Sequence, residues 1–75
     1  MSQPHPQWVI EARQAVGDRI RVRRMELDWT QERLMDAAEL SRNTLQRMEA
    51  GEEMKVSNLL RVADALRVHA RDLLG

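Results

Sequence analysis

Residues that begin and end helices stand close together in the middle of the chain. Thr30 and Ser41 carry hydroxyl groups of the kind that accept a hydrogen bond at a helix N-terminus, and Gly51 is the residue type that commonly ends a helix. The segments between them can each hold only a short helix. We therefore predict a second helix over residues 31–38 and a third helix between Ser41 and Gly51, joined by a tight turn.

The composition favours helices along the whole chain. Ala, Leu, Arg, Glu, Met and Gln are abundant, whereas Phe and Tyr are absent from the 75 residues. Apolar periodicity predicts a first helix over residues 8–27, a fourth capped by Ser57 and a fifth over residues 70–74. Gly17 marks either a kink in the first helix or a break within it. The predicted fold is an all-α, compact bundle of five helices.

The same periodicity predicts which side chains are buried. In the second helix we expect a buried stripe of Leu34, Ala37 and Ala38, and we expect Trp29 to close the turn before it. The fourth helix has a wide apolar face, formed by Leu59, Leu60, Val62, Ala63 and Leu66.

Size and composition exclude several classes of function. A chain of 75 residues holds one small domain, here residues 8–75 after a flexible tail of residues 1–7, and leaves no room for a deep substrate cleft. Without cysteine, disulfides and thiolate zinc sites are excluded, and His5 and His69 have no partner at metal-ligand spacing. We expect no enzyme activity, no metal and no cofactor.

No segment has the composition of a membrane span or a signal peptide. We therefore expect a cytoplasmic protein without a membrane partner. The initial Met favours an intact chain over a DNA-binding fragment of a longer regulator, which remains an alternative.

The second and third helices carry the strongest functional signal. Two short helices joined by a tight turn cross at a steep angle, so that the second of the pair projects from the surface and can enter a major groove. The outward side chains of the third helix suit base edges, since Arg pairs with guanine and Asn or Gln with adenine. The predicted base-reading residues are Arg42, Asn43, Gln46 and Arg47.

At this point the sequence resembles the phage-repressor and Cro type of helix-turn-helix regulator, the XRE family. Three runs carry the resemblance, which extends over residues 17–74: Thr30 to Leu34, Leu40 to Gly51, and Leu59 to Leu66. The resemblance implies a lambda-repressor-like fold whose helix-turn-helix is formed by helices two and three. It also implies a sequence-specific transcriptional regulator, expected to be a repressor, that reads a partly palindromic operator in double-stranded DNA.

The resemblance further implies roles for single residues. Gln31, with Thr30 at the same helix N-terminus, would bind one DNA phosphate. Thr44 would face the backbone or a base methyl, and the amides around Ala50 and Gly51 would hold a second phosphate near Lys55.

The family also pairs an arginine of the first helix with a glutamate near the end of the third. Here these residues are Arg24 and Glu49, which would form a structural ion pair. Two positions depart from the family pattern. Met35 replaces the usual Ala between helices two and three, and Glu39 replaces the Gly that adopts the left-handed turn conformation.

The net charge is zero, from 12 basic and 12 acidic residues, so strong non-specific binding to DNA is not expected. Recognition would then depend on base contacts and on a homodimer. The dimer would use apolar residues either of the fifth helix and its loop (Val68, Leu73, Leu74) or of the N-terminal extension (Trp8, Val9). The balanced charge also suits an alternative with a protein partner, a protein-interaction module of the same fold such as an antitoxin or anti-repressor.

Overall fold

The computed structural model describes residues 4–75, and all regular structure within them is helical. The five helices are α1 Gln7–Glu26, α2 Gln31–Ala38, α3 Arg42–Glu49, α4 Val56–Ala65 and α5 Ala70–Leu74. This confirms the predicted all-α fold of five helices. The predicted tail, residues 1–7, lies partly outside the described residues, and α1 begins at its last position. No helix in residues 4–75 is long and apolar enough to cross a membrane.

The core lies between the five helices, and α2 packs against α4. α3 packs against α1 and α2, while α5 packs against α1 and α4. Burying a Leu or Ile side chain contributes about 1.5–3 kcal/mol, so the core accounts for much of the driving force for folding. The largest fully buried side chains are Ile20, Leu34, Leu45, Met48, Val62 and Leu66. Trp29 and Met35 are half-buried and pack against this cluster.

Two predictions of buried residues are wrong. In α2 only Leu34 and Ala38 are buried, whereas Ala37 is exposed, because so short a helix covers the core with one pair at i and i+4. In α4 the side chain of Leu60 is 53% exposed. It lies at the edge of an apolar face that is narrower than the sequence indicates.

Gly17 lies where α1 and α3 are in closest contact. A Cβ atom at this position would stand 2.7 Å from the carbonyl oxygens of Met48 and Glu49. α1 runs as one helix through Gly17, so this residue does not separate two helices. Its lack of a side chain lets the end of α3 approach the backbone of α1.

The predicted caps of α2 and α3 are confirmed, and that of α4 is wrong. Thr30 Oγ1 accepts a hydrogen bond from the Arg33 amide, and Ser41 Oγ accepts one from the Thr44 amide, each at 3.1 Å. α4 instead begins at Val56, with Lys55 as its N-cap and no side-chain cap. Packing of the α4 apolar face determines where this helix begins, so Ser57 falls inside its first turn.

Three helix ends turn through a left-handed residue that is not glycine. Asp28 follows α1 with φ 57°, Glu39 follows α2 with φ 56°, and Arg67 follows α4 with φ 59°. At the turn between α2 and α3, the Leu40 amide donates to the Met35 carbonyl at 3.0 Å. Glu39 thus adopts the conformation that Gly has in the family, at a cost of about 1 kcal/mol.

Candidate nucleic-acid interface

The outer face of α3 carries all four side chains that the sequence predicts to read bases. Arg42, Asn43, Gln46 and Arg47 are exposed, whereas Leu45, Met48 and Glu49 on the opposite face are buried. The buried face fixes the rotation of α3 in the bundle. The fold therefore brings two arginines and two amides together on one exposed helix face.

Both arginines of this surface lie near an exposed glutamate. Arg47 Nε donates to Glu52 Oε1 at 3.3 Å, and an Arg42 terminal nitrogen lies 3.9 Å from Glu32 Oε2. More than half of each side chain is exposed. Each pair contributes less than about 1 kcal/mol to folding, and neither removes its arginine from solvent.

A buried ion pair holds α3 from the other side. Arg24 donates to the two carboxylate oxygens of Glu49 at 2.9 and 3.1 Å, and it also donates to the Trp29 carbonyl at 2.8 Å. The two side chains are 13% and 5% exposed. These are the residues expected to pair from the family resemblance. The forked contact joins α1, the turn after it and the end of α3 in one geometry.

Gln31 belongs to the same network. Its side-chain amide is half-buried and donates to Glu49 Oε1 at 3.3 Å. An amide nitrogen carries two hydrogens, so one remains for a phosphate oxygen. Thr30, which precedes Gln31, is exposed and uses its hydroxyl oxygen to cap α2.

A shallow groove separates α3 from the start of α4, and two of the predicted phosphate-binding residues lie in it. Thr44 is half-buried, with its hydroxyl bonded to Ser41 Oγ at 2.9 Å, and Lys55 is exposed at the N-cap of α4. The groove is lined by Thr44, Arg47, Met48, Glu53, Met54, Lys55 and Asn58. Sequence reasoning missed Asn58, although its position three residues after Lys55 places it on the first turn of the same helix.

The amides at the end of α3 are not available to a phosphate. Ala50 N donates to the Gln46 carbonyl, Gly51 N to the Met48 carbonyl and Glu52 N to the Arg47 carbonyl, each at 3.0 Å. The prediction that the amides around Ala50 and Gly51 hold a phosphate is therefore wrong, because each N–H already has an acceptor in the chain. Gly51 has φ 79°, the left-handed conformation that this type of helix end requires.

The connector after α3 is also tied to the N-terminal part of the chain. Arg13 donates to the Gly51 carbonyl at 3.1 Å and to Glu53 Oε1 at 3.2 Å. His5 Nε2 lies 3.2 Å from the same Glu53 oxygen. These contacts join α1 and the residues before it to the loop that borders the outer face of α3.

The apolar residues proposed for a dimer have different environments. Leu73 is 2% exposed and belongs to the core, so its assignment to an interface is wrong; it anchors α5 to the bundle instead. Trp8 is 70% and Leu74 is 59% exposed, whereas Val9 and Val68 are half-buried. Sequence reasoning missed a further exposed apolar pair on α4, Val56 and Leu60. Val56 was assigned to the connector before the helix, and Leu60 to the face packed into the core.

Comparisons with known proteins agree with this architecture. A restriction-modification controller protein from Aeromonas hydrophila, C.AhdI, has 28% identity, with a TM-score of 0.79 over 84% of this chain and 97% of its own. Two structures of the clp gene regulator ClgR from Corynebacterium glutamicum give TM-scores of 0.77 and 0.76 at 30% and 27% identity. They cover 84% and 96% of this chain, and 68% and 87% of their own chains. No curated protein sequence matches.

The family comparison covers most of the chain. Residues 15–74 match the family described as "Helix-turn-helix domain". The matched range contains all of α2, α3 and α4. The sequence resemblance to XRE-type regulators is thereby confirmed. The chain belongs to the helix-turn-helix domain family and has the fold of a DNA-binding regulator.

Proposed function

We propose that the protein is a sequence-specific transcriptional repressor that inserts α3 into the major groove of its operator. The observation that carries this proposal is the amphipathic division of α3. Arg42, Asn43, Gln46 and Arg47 are exposed together, while the opposite face is fixed in the core. Forked donors and paired donor and acceptor groups on one projecting helix match the edges of guanine and adenine.

Contacts to DNA phosphates would come from two places beside α3, the N-terminus of α2 and the groove between α3 and α4. Thr30 and Gln31 lie at the N-terminus of α2, where the helix dipole favours an anion, and Gln31 retains one amide hydrogen for it. Thr44 and Lys55 border the groove between α3 and α4. Such contacts orient α3 but carry no sequence information.

We also propose that the protein binds DNA as a homodimer in the cytoplasm. A single α3 reads few base pairs, and two copies related by a two-fold axis would read a partly palindromic operator. Exposed apolar side chains are available at Trp8, at Leu74 and along Val56 and Leu60. Burying any of these sites against a second copy would remove apolar surface from water.

The DNA-binding proposal can be tested by selecting bound duplexes from random DNA at two salt concentrations. We expect one enriched site whose affinity falls steeply with salt. Asn43→Ala and Arg47→Ala should each abolish the preference at defined base pairs. Arg71→Ala is the matched control, because Arg71 is an exposed arginine on α5 and its removal changes the net charge equally.

Two outcomes would reject the proposal. If no sequence is enriched, or if Arg47→Ala and Arg71→Ala have the same effect, α3 does not read bases. The alternative function, a protein-interaction module with the same fold, would then be favoured. A reporter gene placed downstream of the enriched site tests repression, and sedimentation with and without that site tests the dimer. Leu60→Asp should weaken a dimer that uses α4, and Leu74→Asp one that uses α5.

A further inference from the structure

We propose that Glu52 is a positioning residue that holds Arg47 in the orientation needed to read a guanine. This inference rests on the proposed function, since it assigns to one residue outside α3 a part in its sequence specificity. Three observations support it: the backbone geometry that joins the two residues, the atom of Arg47 that Glu52 contacts, and the contrast with the other arginine of the same surface.

The backbone places Glu52 beside Arg47. α3 ends in a double turn in which the Gly51 amide donates to the Met48 carbonyl and the Glu52 amide donates to the Arg47 carbonyl, both at 3.0 Å. Gly51 closes this turn with its left-handed φ of 79°. Glu52 is therefore not on a free loop. Its main-chain amide is hydrogen-bonded to the Arg47 carbonyl, so the Cα atoms of the two residues are held close together.

The side-chain contact leaves the reading end of Arg47 free. Glu52 Oε1 accepts a hydrogen bond from Nε, the inner nitrogen of the guanidinium, at 3.3 Å. A guanidinium has five N–H groups, of which four are on the two terminal nitrogens. The terminal nitrogens can donate to O6 and N7 of one guanine while Nε remains bonded to Glu52. A guanidinium fixed in this plane loses less rotamer freedom when it reaches a base.

Arg42 provides the contrast on the same surface. The glutamate nearest to it, Glu32, approaches a terminal nitrogen at 3.9 Å and is beyond hydrogen-bond distance. Glu32 therefore lies beside a nitrogen that a guanine would need, and it does not fix the guanidinium plane. The two glutamates differ in what they do to their arginines, and only Glu52 has the geometry of a support.

The Glu52 carboxylate would have two opposite effects on DNA binding. Its negative charge lies near the phosphates and should lower affinity for every sequence. Its bond to Nε should raise affinity only where Arg47 meets guanine. A support is thus distinguishable from a simple surface charge, because removing the support lowers specific binding while it raises non-specific binding.

The test uses the full chain and the site selected by the unmodified protein. The base pair read by Arg47 is the one whose preference disappears in Arg47→Ala. For Glu52→Ala we expect the preference for guanine at that base pair to fall about fivefold, a part of the discrimination that a bidentate pair provides. Affinity for random duplex should rise about twofold, since one carboxylate near the phosphates is removed.

Two further variants separate support from charge. Glu52→Gln removes the charge but keeps an oxygen that can accept from Nε, so it should retain most of the guanine preference. Glu26→Ala removes the same charge at the end of α1, where the exposed carboxylate contacts Arg23. It should leave the guanine preference unchanged. In the Arg47→Ala background, Glu52→Ala should have no effect on the preference at this base pair.

The possible results are distinguishable. If Glu52→Ala and Glu52→Gln raise affinity equally on the selected site and on random DNA, Glu52 is only a repulsive charge and the inference is wrong. If the unmodified protein selects no site, the proposed function fails, and the inference fails with it. Because the Glu52 side chain is 54% exposed, we expect its variants to unfold at the same midpoint temperature as the unmodified protein. An unchanged midpoint shows that they are folded.

Discussion

Two arginine–glutamate pairs on opposite faces of α3 have the same chemistry and different environments. Arg24 and Glu49 are almost completely buried and share two hydrogen bonds, whereas Arg47 and Glu52 are more than half exposed and share one. The buried pair joins α3 to α1 and to the turn after it. The exposed pair joins α3 only to its own connector. Burial thus determines that one pair fixes the position of the helix, while the other remains available to a ligand.

The largest effect should come from breaking the buried pair. Arg24→Ala leaves the Glu49 carboxylate buried without its cation and removes the donor to the Trp29 carbonyl. We expect a loss of about 3–5 kcal/mol in the free energy of unfolding, measured by urea denaturation. Arg47→Ala is the matched control on the exposed pair and should change stability by less than about 1 kcal/mol.

A double variant sharpens this comparison. Replacing both partners by methionine removes the unpaired charge, so Arg24→Met with Glu49→Met should recover a large part of the lost stability. Equal losses in the single and double variants would contradict the assignment of the cost to an uncompensated buried charge.

The second effect tests the contact that brings α3 so close to α1. Gly17→Ala introduces a Cβ atom 2.7 Å from two carbonyl oxygens of α3. Although Ala favours a helix by about 1 kcal/mol over Gly, we expect a net loss of about 1–3 kcal/mol in thermal unfolding. Ala12→Gly, at an exposed site of α1, is the control that measures the difference in helix propensity between Ala and Gly alone. A gain in stability from Gly17→Ala would show that the two backbones can separate without cost.

A smaller effect is expected at the start of α3. Ser41→Ala removes the oxygen that accepts from the Thr44 amide and the hydroxyl that donates to Thr44 Oγ1. The expected loss is about 1 kcal/mol by chemical denaturation. Ser57→Ala is the control, because Ser57 caps no helix, and it should be close to neutral. Equal losses in the two variants would refute the capping role of Ser41.

The smallest effect on stability belongs to the exposed pair itself. Glu52→Ala should change the free energy of unfolding by less than about 0.5 kcal/mol, because both partners are solvated. A loss comparable to that of Arg24→Ala would show that the two pairs do not differ in the way their burial indicates.

Local signals were sufficient for much of the fold. The N-caps Thr30 and Ser41 and the left-handed Gly51 depend on neighbouring residues only, and the structure has them where the sequence predicts. The start of α4 was not predictable in this way, because packing of its apolar face overrides the cap that Ser57 could supply. The role of Gly17 was not predictable from its neighbours either. A side chain is excluded there by the backbone of α3, which is distant in sequence.

The candidate site likewise has a part that local sequence signals predict and a part that they do not. That α3 presents Arg42, Asn43, Gln46 and Arg47 outward follows from helical periodicity. A family resemblance does not show that Gln31 contacts Glu49, because this contact depends on tertiary packing. It also does not show that the amides at the end of α3 are already hydrogen-bonded within the chain. Glu52 lies outside the helix and gives no signal on its own, because only the double turn at Gly51 places it beside Arg47.

The three left-handed helix ends bear on how this protein can change over evolutionary time. Asp28, Glu39 and Arg67 each occupy a conformation in which a glycine would be less strained. A substitution to glycine at each turn would raise the free energy of unfolding by roughly 0.5–1 kcal/mol, once the larger entropy loss of glycine on folding is subtracted. The fold therefore has sites at which single changes compensate for destabilising changes elsewhere. New combinations of residues on the outer face of α3 can be tolerated to that extent, so the chemistry of this face can change more easily than the fold.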